Sequence, residues 1–193
     1  MPANTVIMWF RQDLRLSDNP ALLKAIQQGR VLPVFILDES CHWPLGEASR
    51  WWLHHSLNAL NESLLGNLWV LQGDAAKLLP QFANEQGASH VFWNRCYEPS
   101  IIHRDSLIKE QLTADGVTAS SQNGSLIWEP WENLKQDGTA YKSFTPFYKY
   151  AIANNPPAAP SHEDTSTFDT VKCLQDKNRL DKLNLLPTIN WHK

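Results

Sequence analysis

Five short apolar runs alternate with amphipathic stretches over the first 122 residues, and this alternation limits the fold more than any other feature. The runs are TVIMWF at 5–10, VLPVFIL at 31–37, LWVLQ at 68–72, SHVFWN at 89–94 and GVTASS at 116–121. Between them the spacing predicts helices over 18–28, 47–65, 74–86 and 99–114. Strands this apolar bury both faces, which a parallel sheet covered by helices on each side provides. The expected fold is α/β: a Rossmann-like, doubly wound sheet of five mostly parallel strands with helices on both faces.

Local chemistry supports the helix starts. Asp18 or Ser17 can cap a helix whose first turn holds Pro20, where a missing N–H costs nothing. Asp74 opens DAAKLLPQFANEQG, which closes on Gly87. In the second helix Leu53, Leu57, Leu60 and Leu64 form a core-facing stripe, while Trp52, Ser56, Ala59 and Ser63 share another face.

After residue 122 the alternation stops. Pro130, an Asp137-Gly138 turn and an aromatic group (Tyr141, Phe144, Phe147, Tyr148, Tyr150) follow. From about 153 the chain is Pro-rich and low in apolar content, which predicts an extended interdomain linker. The expected organisation is an α/β domain over 1–150 and a linker over 151–193.

Several function classes are excluded. A net charge of −3 and a pI near 6.1 give no surface built to neutralise phosphates. Cys41, Cys96 and Cys173 form no CxxC pair, so neither a zinc site nor a disulfide framework is indicated, and idle thiols are expected. The amino terminus has no signal-peptide pattern and no run long enough to span a membrane, so the expected location is the cytoplasm. Nine tryptophans are unusual, and Trp9, Trp69 and Trp93 stand at or near strand ends. Such indoles suit a core, or the wall of a pocket for a flat ligand.

Ligands of open parallel sheets sit beyond the carboxyl ends of the strands. The candidates there are Phe10, Arg11 and Asp13; Asp38 and Glu39; Gly73 and Asp74; Asn94, Arg95, Tyr97 and Glu98; and Arg50 at the start of the second helix. The first turn carries no GxGxxG and no GxxxxGK[ST], so it is not a usual dinucleotide cradle or P-loop. Arg11, Asp13 and Arg15 either pair to hold the turn in shape, or Arg11 faces the ligand crevice.

The wording of the sequence adds a resemblance. WFRQDLRLSDNPAL at the first strand, SRWWLHHSL at 49–57, LQGD at 71–74, FWNRCYEP with RD over 92–105, and YKSFTPFYK at 141–149 occur in order and in register. Together they resemble the amino-terminal domain of the DNA photolyase and cryptochrome family over nearly all of 5–150. The resemblance implies a light-harvesting α/β domain that holds an antenna chromophore: FMN, a deazaflavin or a folate. It implies that FAD and damaged DNA are bound only in the full-length protein, by a helical domain expected beyond residue 193. On that basis a pyrimidine-dimer photolyase is expected for the whole protein, with no catalytic residue here and this stretch inactive alone.

The chromophore-binding positions implied are Phe35, Ile36 and Leu37 at the end of the second strand, Arg50, Glu98, and Arg11 of the first turn. Two positions depart from the family pattern. Cys96 stands where deazaflavin binders carry an acidic residue, and Ser100-Ile101 where folate binders carry Asn-Glu. The aromatic residues Phe144, Phe147 and Tyr148 either seal the fold or lie against the helical domain. The alternative readings are the same domain of a cryptochrome photoreceptor, or a free-standing adenine-nucleotide-binding domain.

Overall fold

A computed structural model describes residues 4–38, 40, 44–159, 165 and 167–188. In chain order the elements are β1 (Thr5–Phe10), α1 (Pro20–Gln28), β2 (Arg30–Asp38), α2 (Glu47–Ser63), β3 (Trp69–Gly73), α3 (Ala75–Glu85), β4 (His90–Asn94), α4 (Pro99–Ala114), β5 (Thr118–Gln122) and α5 (Phe144–Asn154). A short 3-10 turn follows at Asp181–Leu183. The five strands pair in the order β3-β2-β1-β4-β5, every pair parallel. This is the doubly wound sheet expected from the sequence. Right-handed crossovers put α1 and α2 on one face; the chain then returns past β1, so α3 and α4 cover the other.

The period-two alternation of the strands sorts side chains between two cores. Val6, Met8 and Phe10 point to the α1/α2 face, where Leu22, Leu57 and Leu60 meet them. Ile7 and Trp9 point to the α3/α4 face, against Leu79, Phe82, Ile108 and Leu112. Trp69 and Trp93 join Trp9 there, and the Trp9 and Trp93 rings meet edge to face with centroids 5.8 Å apart. The three strand-end indoles are therefore core residues rather than walls of an open pocket. On α2, Leu57, Leu60 and Leu64 are buried and Leu53 packs beside them, while Trp52 is 69% exposed on another face.

The first helix begins later than the sequence suggests. Asn19, not Asp18 or Ser17, is its cap: Asn19 Oδ1 accepts from the Leu22 amide at 3.1 Å, while Asp18 sits in the left-handed region at φ 48°. Asp74 caps α3 as expected, accepting from the Ala76 amide at 3.0 Å.

Residues 167–188, read from composition as linker, are extended and also docked. Val31, which lies beyond the start of β3, takes a parallel bridge to Thr170 through Asp169 O (2.9 Å) and the Val171 amide (2.8 Å). Leu180, Leu183 and Leu185 are buried in the α1/α2-side core. No helix among the described residues is long and apolar enough to cross a membrane.

Candidate functional site

The strand order reverses between β1 and β4, so the crevice of an α/β sheet opens at their carboxyl ends. Here the crevice is filled by the protein's own charges. Arg11 leaves β1 and donates from Nη1 to Asp105 Oδ2 of α4 at 2.7 Å, and from Nη2 to the carbonyl of Asn94. Trp93 Nε1 reaches the same carboxylate oxygen at 3.2 Å. The other oxygen accepts from Arg104 Nη2 at 2.9 Å, and Arg104 Nη1 continues to Asp38 at the end of β2. Both guanidiniums lie over the Trp9 ring, 4.7 and 5.2 Å from its centroid. An alternating chain Asp38, Arg104, Asp105, Arg11 thus ties β2, α4 and β1 together.

The turn after Arg11 is fixed with equal economy. Asp13 accepts from the Arg11 amide at 3.1 Å and from Asn94 Nδ2. Asn94 also donates to Asn19 Oδ1 (2.7 Å) and accepts from the Ala21 amide (3.2 Å), so one buried amide joins β4 to the start of α1. Arg15 donates to the carbonyls of Asp18 (2.9 Å) and Gly124 (2.7 Å). Gly124 must stay a glycine, because a Cβ there would fall 2.4 Å from Asn94 Cγ. Of the two readings of this turn, the paired one describes the geometry.

The six sequence-derived positions are not gathered into one cavity. Phe35 and Leu37 face the α1/α2 side and Ile36 the opposite side, as the strand period requires. Arg50 donates from Nη2 to the carbonyl of Asn184 at 2.6 Å, tying α2 to the C-terminal segment. Arg11 is engaged as above. Glu98 is exposed at the N-cap position of α4 and makes no side-chain capping bond. It borders an open hollow of about 300 Å³ lined also by Gln12, Arg95, Cys96, Tyr97 and Ser125. Glu39 and Cys41 lie outside the described residues.

Sequence reasoning missed Asp105, Arg104 and Glu129. A signal for Asp105 existed: it shares the buried spacing of Ile108 and Leu112 on α4. A carboxylate in an apolar stripe requires a partner, and Arg11 was the available cation. Glu129 gave no such signal, because it comes from an irregular loop. It is buried and accepts from Arg95 Nε (3.0 Å) and the Tyr97 hydroxyl (2.8 Å), which fixes the floor of the hollow.

These surroundings set the protonation of the rim. Burial and the Glu129 carboxylate push the Tyr97 hydroxyl up to about 12, so it remains a donor. Burial raises the Cys96 thiol, which keeps it protonated and a poor nucleophile. Burial alone would raise Asp38, but hydrogen bonds from Ser40 and Arg104 outweigh it and hold the carboxyl below its ordinary value. A depressed carboxyl stabilises the fold above its unfolded pKa, about 3.9, and that contribution is lost as pH falls through the folded value. Asp38→Asn is therefore expected to cost about 1–2 kcal/mol at pH 7. The gap to the parent should close below about pH 4, as urea melts at pH 7 and pH 3 will show. Among the described residues no three His, Cys, Asp or Glu side chains are grouped to hold a metal.

A family model described as DNA photolyase matches residues 6–163. The deoxyribodipyrimidine photo-lyase of Agrobacterium fabrum is 41% identical over 193 residues, a match covering 97% of this chain and 40% of that protein. Cryptochrome-1 of Arabidopsis thaliana is 36% identical over 180 residues, covering 88% of this chain and 26% of the relative. Among solved structures, a bacterial class III photolyase from Agrobacterium tumefaciens superposes with a TM-score of 0.88 at 39% identity, covering 98% of this chain and 40% of that one. An archaeal photolyase from Sulfolobus tokodaii, solved with two FAD molecules, shares the fold at a TM-score of 0.73 and 24% identity, covering 95% of this chain and 42% of that one. The chain spans about 40% of the length of the first of these relatives.

Proposed function

This chain belongs to the DNA photolyase family, and from that premise we propose that it is the α/β part of a light-driven pyrimidine-dimer photolyase, the part that holds an antenna chromophore. The match to a class III photolyase structure over nearly the whole chain supports this reading most directly. Splitting of the dimer, with its FAD and its hold on damaged DNA, is assigned in this proposal to the portion of the relatives outside the shared span.

The residues fit a chromophore only at part of the rim. The crevice between β1 and β4 is occupied by Arg11 and Asp105, which argues against an adenine nucleotide seated there. The hollow beside it offers an unpaired carboxylate, Glu98, and the Gln12 side chain at one lip. We assign Glu98 to the ring N–H or hydroxyl donors of a planar FMN, deazaflavin or folate, and Arg11 to holding the rim in place. Phe35, Leu37 and Arg50 belong to the β2/α2 end of the same sheet edge, a second place for ring contact. Ile36 points into the opposite core and is not a ligand contact.

A partner surface accompanies this reading. On α5 only Ala151 is buried, Phe144 is 73% exposed and stacks on Tyr148, while Phe147 turns inward against Trp128 and Tyr141. We assign the outward aromatic side to contact with the helical FAD-binding domain of the full-length protein. The cryptochrome alternative rests on the Arabidopsis relative, and a dimer-repair assay of the full-length protein separates the two.

Titration of the chain with FMN, a deazaflavin and a methenyl folate, followed by absorbance and fluorescence, tests the chromophore assignment. One of the three should bind, and Glu98→Ala should weaken it about tenfold, roughly 1.4 kcal/mol. Stabilisation by ATP with no response to any of the three would overturn the reading.

A further inference from the structure

The outer edge of the sheet at β3 is closed by side chains rather than by a strand. β3 pairs only with β2, so the backbone groups of residues 68, 70 and 72 face outward. Gln175 meets Val70 with both ends of its amide: Oε1 accepts from the Val70 amide at 2.7 Å, and Nε2 donates to the Val70 carbonyl at 2.8 Å. Arg179 Nε donates to the Leu68 carbonyl at 2.7 Å, and Asn61 Oδ1 accepts from the Leu68 amide at 3.3 Å. A primary amide that both accepts and donates at one residue reproduces the pairing a neighbouring strand would make.

The strand itself explains the need. Exposed edges are ordinarily protected by charge, proline, a bulge or brevity. LWVLQG at 68–73 holds no charged residue and no proline, and its Trp, Val and Leu favour strand pairing. The opposite edge, β5, reads TASSQ and is polar throughout save one alanine. Only the apolar edge is covered by the C-terminal segment, at Val70 and Leu68.

We infer that residues 173–179 are a built-in cover that keeps β3 from pairing with the β3 of a second copy of this chain. Two uncovered edges would pair antiparallel about a two-fold axis, each Val70 and Leu68 exchanging Gln175 and Arg179 for the partner backbone. Nothing in β3 repels its own copy, which makes the second copy the fitting occupant.

The test uses Gln175→Met, which keeps the length of the side chain and removes both hydrogen bonds. Hydrogen exchange at the Val70 amide should accelerate at least tenfold, while the inward-facing amides of Trp69 and Leu71 keep their protection. Sedimentation should show concentration-dependent dimerisation beyond that of the parent. Adding Gln72→Lys to this variant should reverse the dimerisation while leaving Val70 exchange fast, because an exposed charge guards the edge without restoring the amide. Unchanged association in Gln175→Met, or failure of the added lysine to reduce it, would overturn the inference. Should Gln175→Met not fold, the parent decides: a Val70 amide exchanging there as fast as an unbonded one rejects the cover, and a protected one upholds it.

Discussion

Asp105→Ala is expected to remove about 3 kcal/mol of stability, toward the low end for breaking a buried ion pair from one side. Asp105 is the point where the crevice network converges: its two oxygens accept from Arg11, Trp93 and Arg104. The Arg11 and Asp105 side chains are 7% and 10% exposed, so solvent screens the pair only slightly. Without the carboxylate, two guanidiniums remain over the Trp9 ring with one shared anion gone, and only Arg104 keeps a second carboxylate, Asp38. In a chain of this size 1 kcal/mol moves the midpoint by about 2–4 °C, so Tm should fall by about 6–12 °C. Asp105→Asn should fall less, since its remaining oxygen still accepts. Thermal unfolding followed by circular dichroism reads the loss. A change below about 1 kcal/mol would place the network among solvated surface pairs and remove its claim to set the crevice.

Arg179→Ala is expected to have a comparable effect through a different cause. Arg179 is buried and its hydrogen bonds go to uncharged acceptors: the carbonyls of Leu68 (2.7 Å), Gly66 (2.7 Å) and Asp176 (3.3 Å), and Asn61 Oδ1 (2.8 Å). Removing the guanidinium leaves carbonyls at the β3 edge and the α2–β3 turn without a donor. Each buried group left unpaired costs about 1–3 kcal/mol, so a total of about 3 kcal/mol is expected. Arg179→Lys should recover less than half, because a compact ammonium cannot span acceptors set around a planar fork. The variant should also loosen its own segment, with trypsin cleaving after Lys172 and Lys177 about tenfold faster than in the parent. Equal melting and equal cleavage would show that the three leucines at 180, 183 and 185 hold the segment without the arginine.

The candidate site was partly legible before the fold was known, and particular residues show why. Arg11, Asn94 and Glu98 were found because a parallel sheet collects the residues that follow its strands at one edge. Arg11 was found without its task, since the aspartate it pairs with is 94 residues away on α4. Glu129 was missed because a loop residue carries no periodicity that announces burial. Phe35, Ile36 and Leu37 are consecutive, and a strand turns consecutive side chains to opposite faces, so they could not line one wall together.

What the sequence determined alone is the layered architecture. Alternating apolar runs and helical stripes are local patterns, and right-handed crossovers leave few ways to assemble them. The pairing of charges in the crevice and the docking of residues 167–188 were decided by the tertiary structure. Hydrogen bonds such as Arg11 to Asp105 and Gln175 to Val70 join positions roughly a hundred residues apart. Composition marked the C-terminal segment as solvated because it is polar and Pro-rich, yet three leucines and one arginine suffice to seat it once the sheet edge exists to receive them.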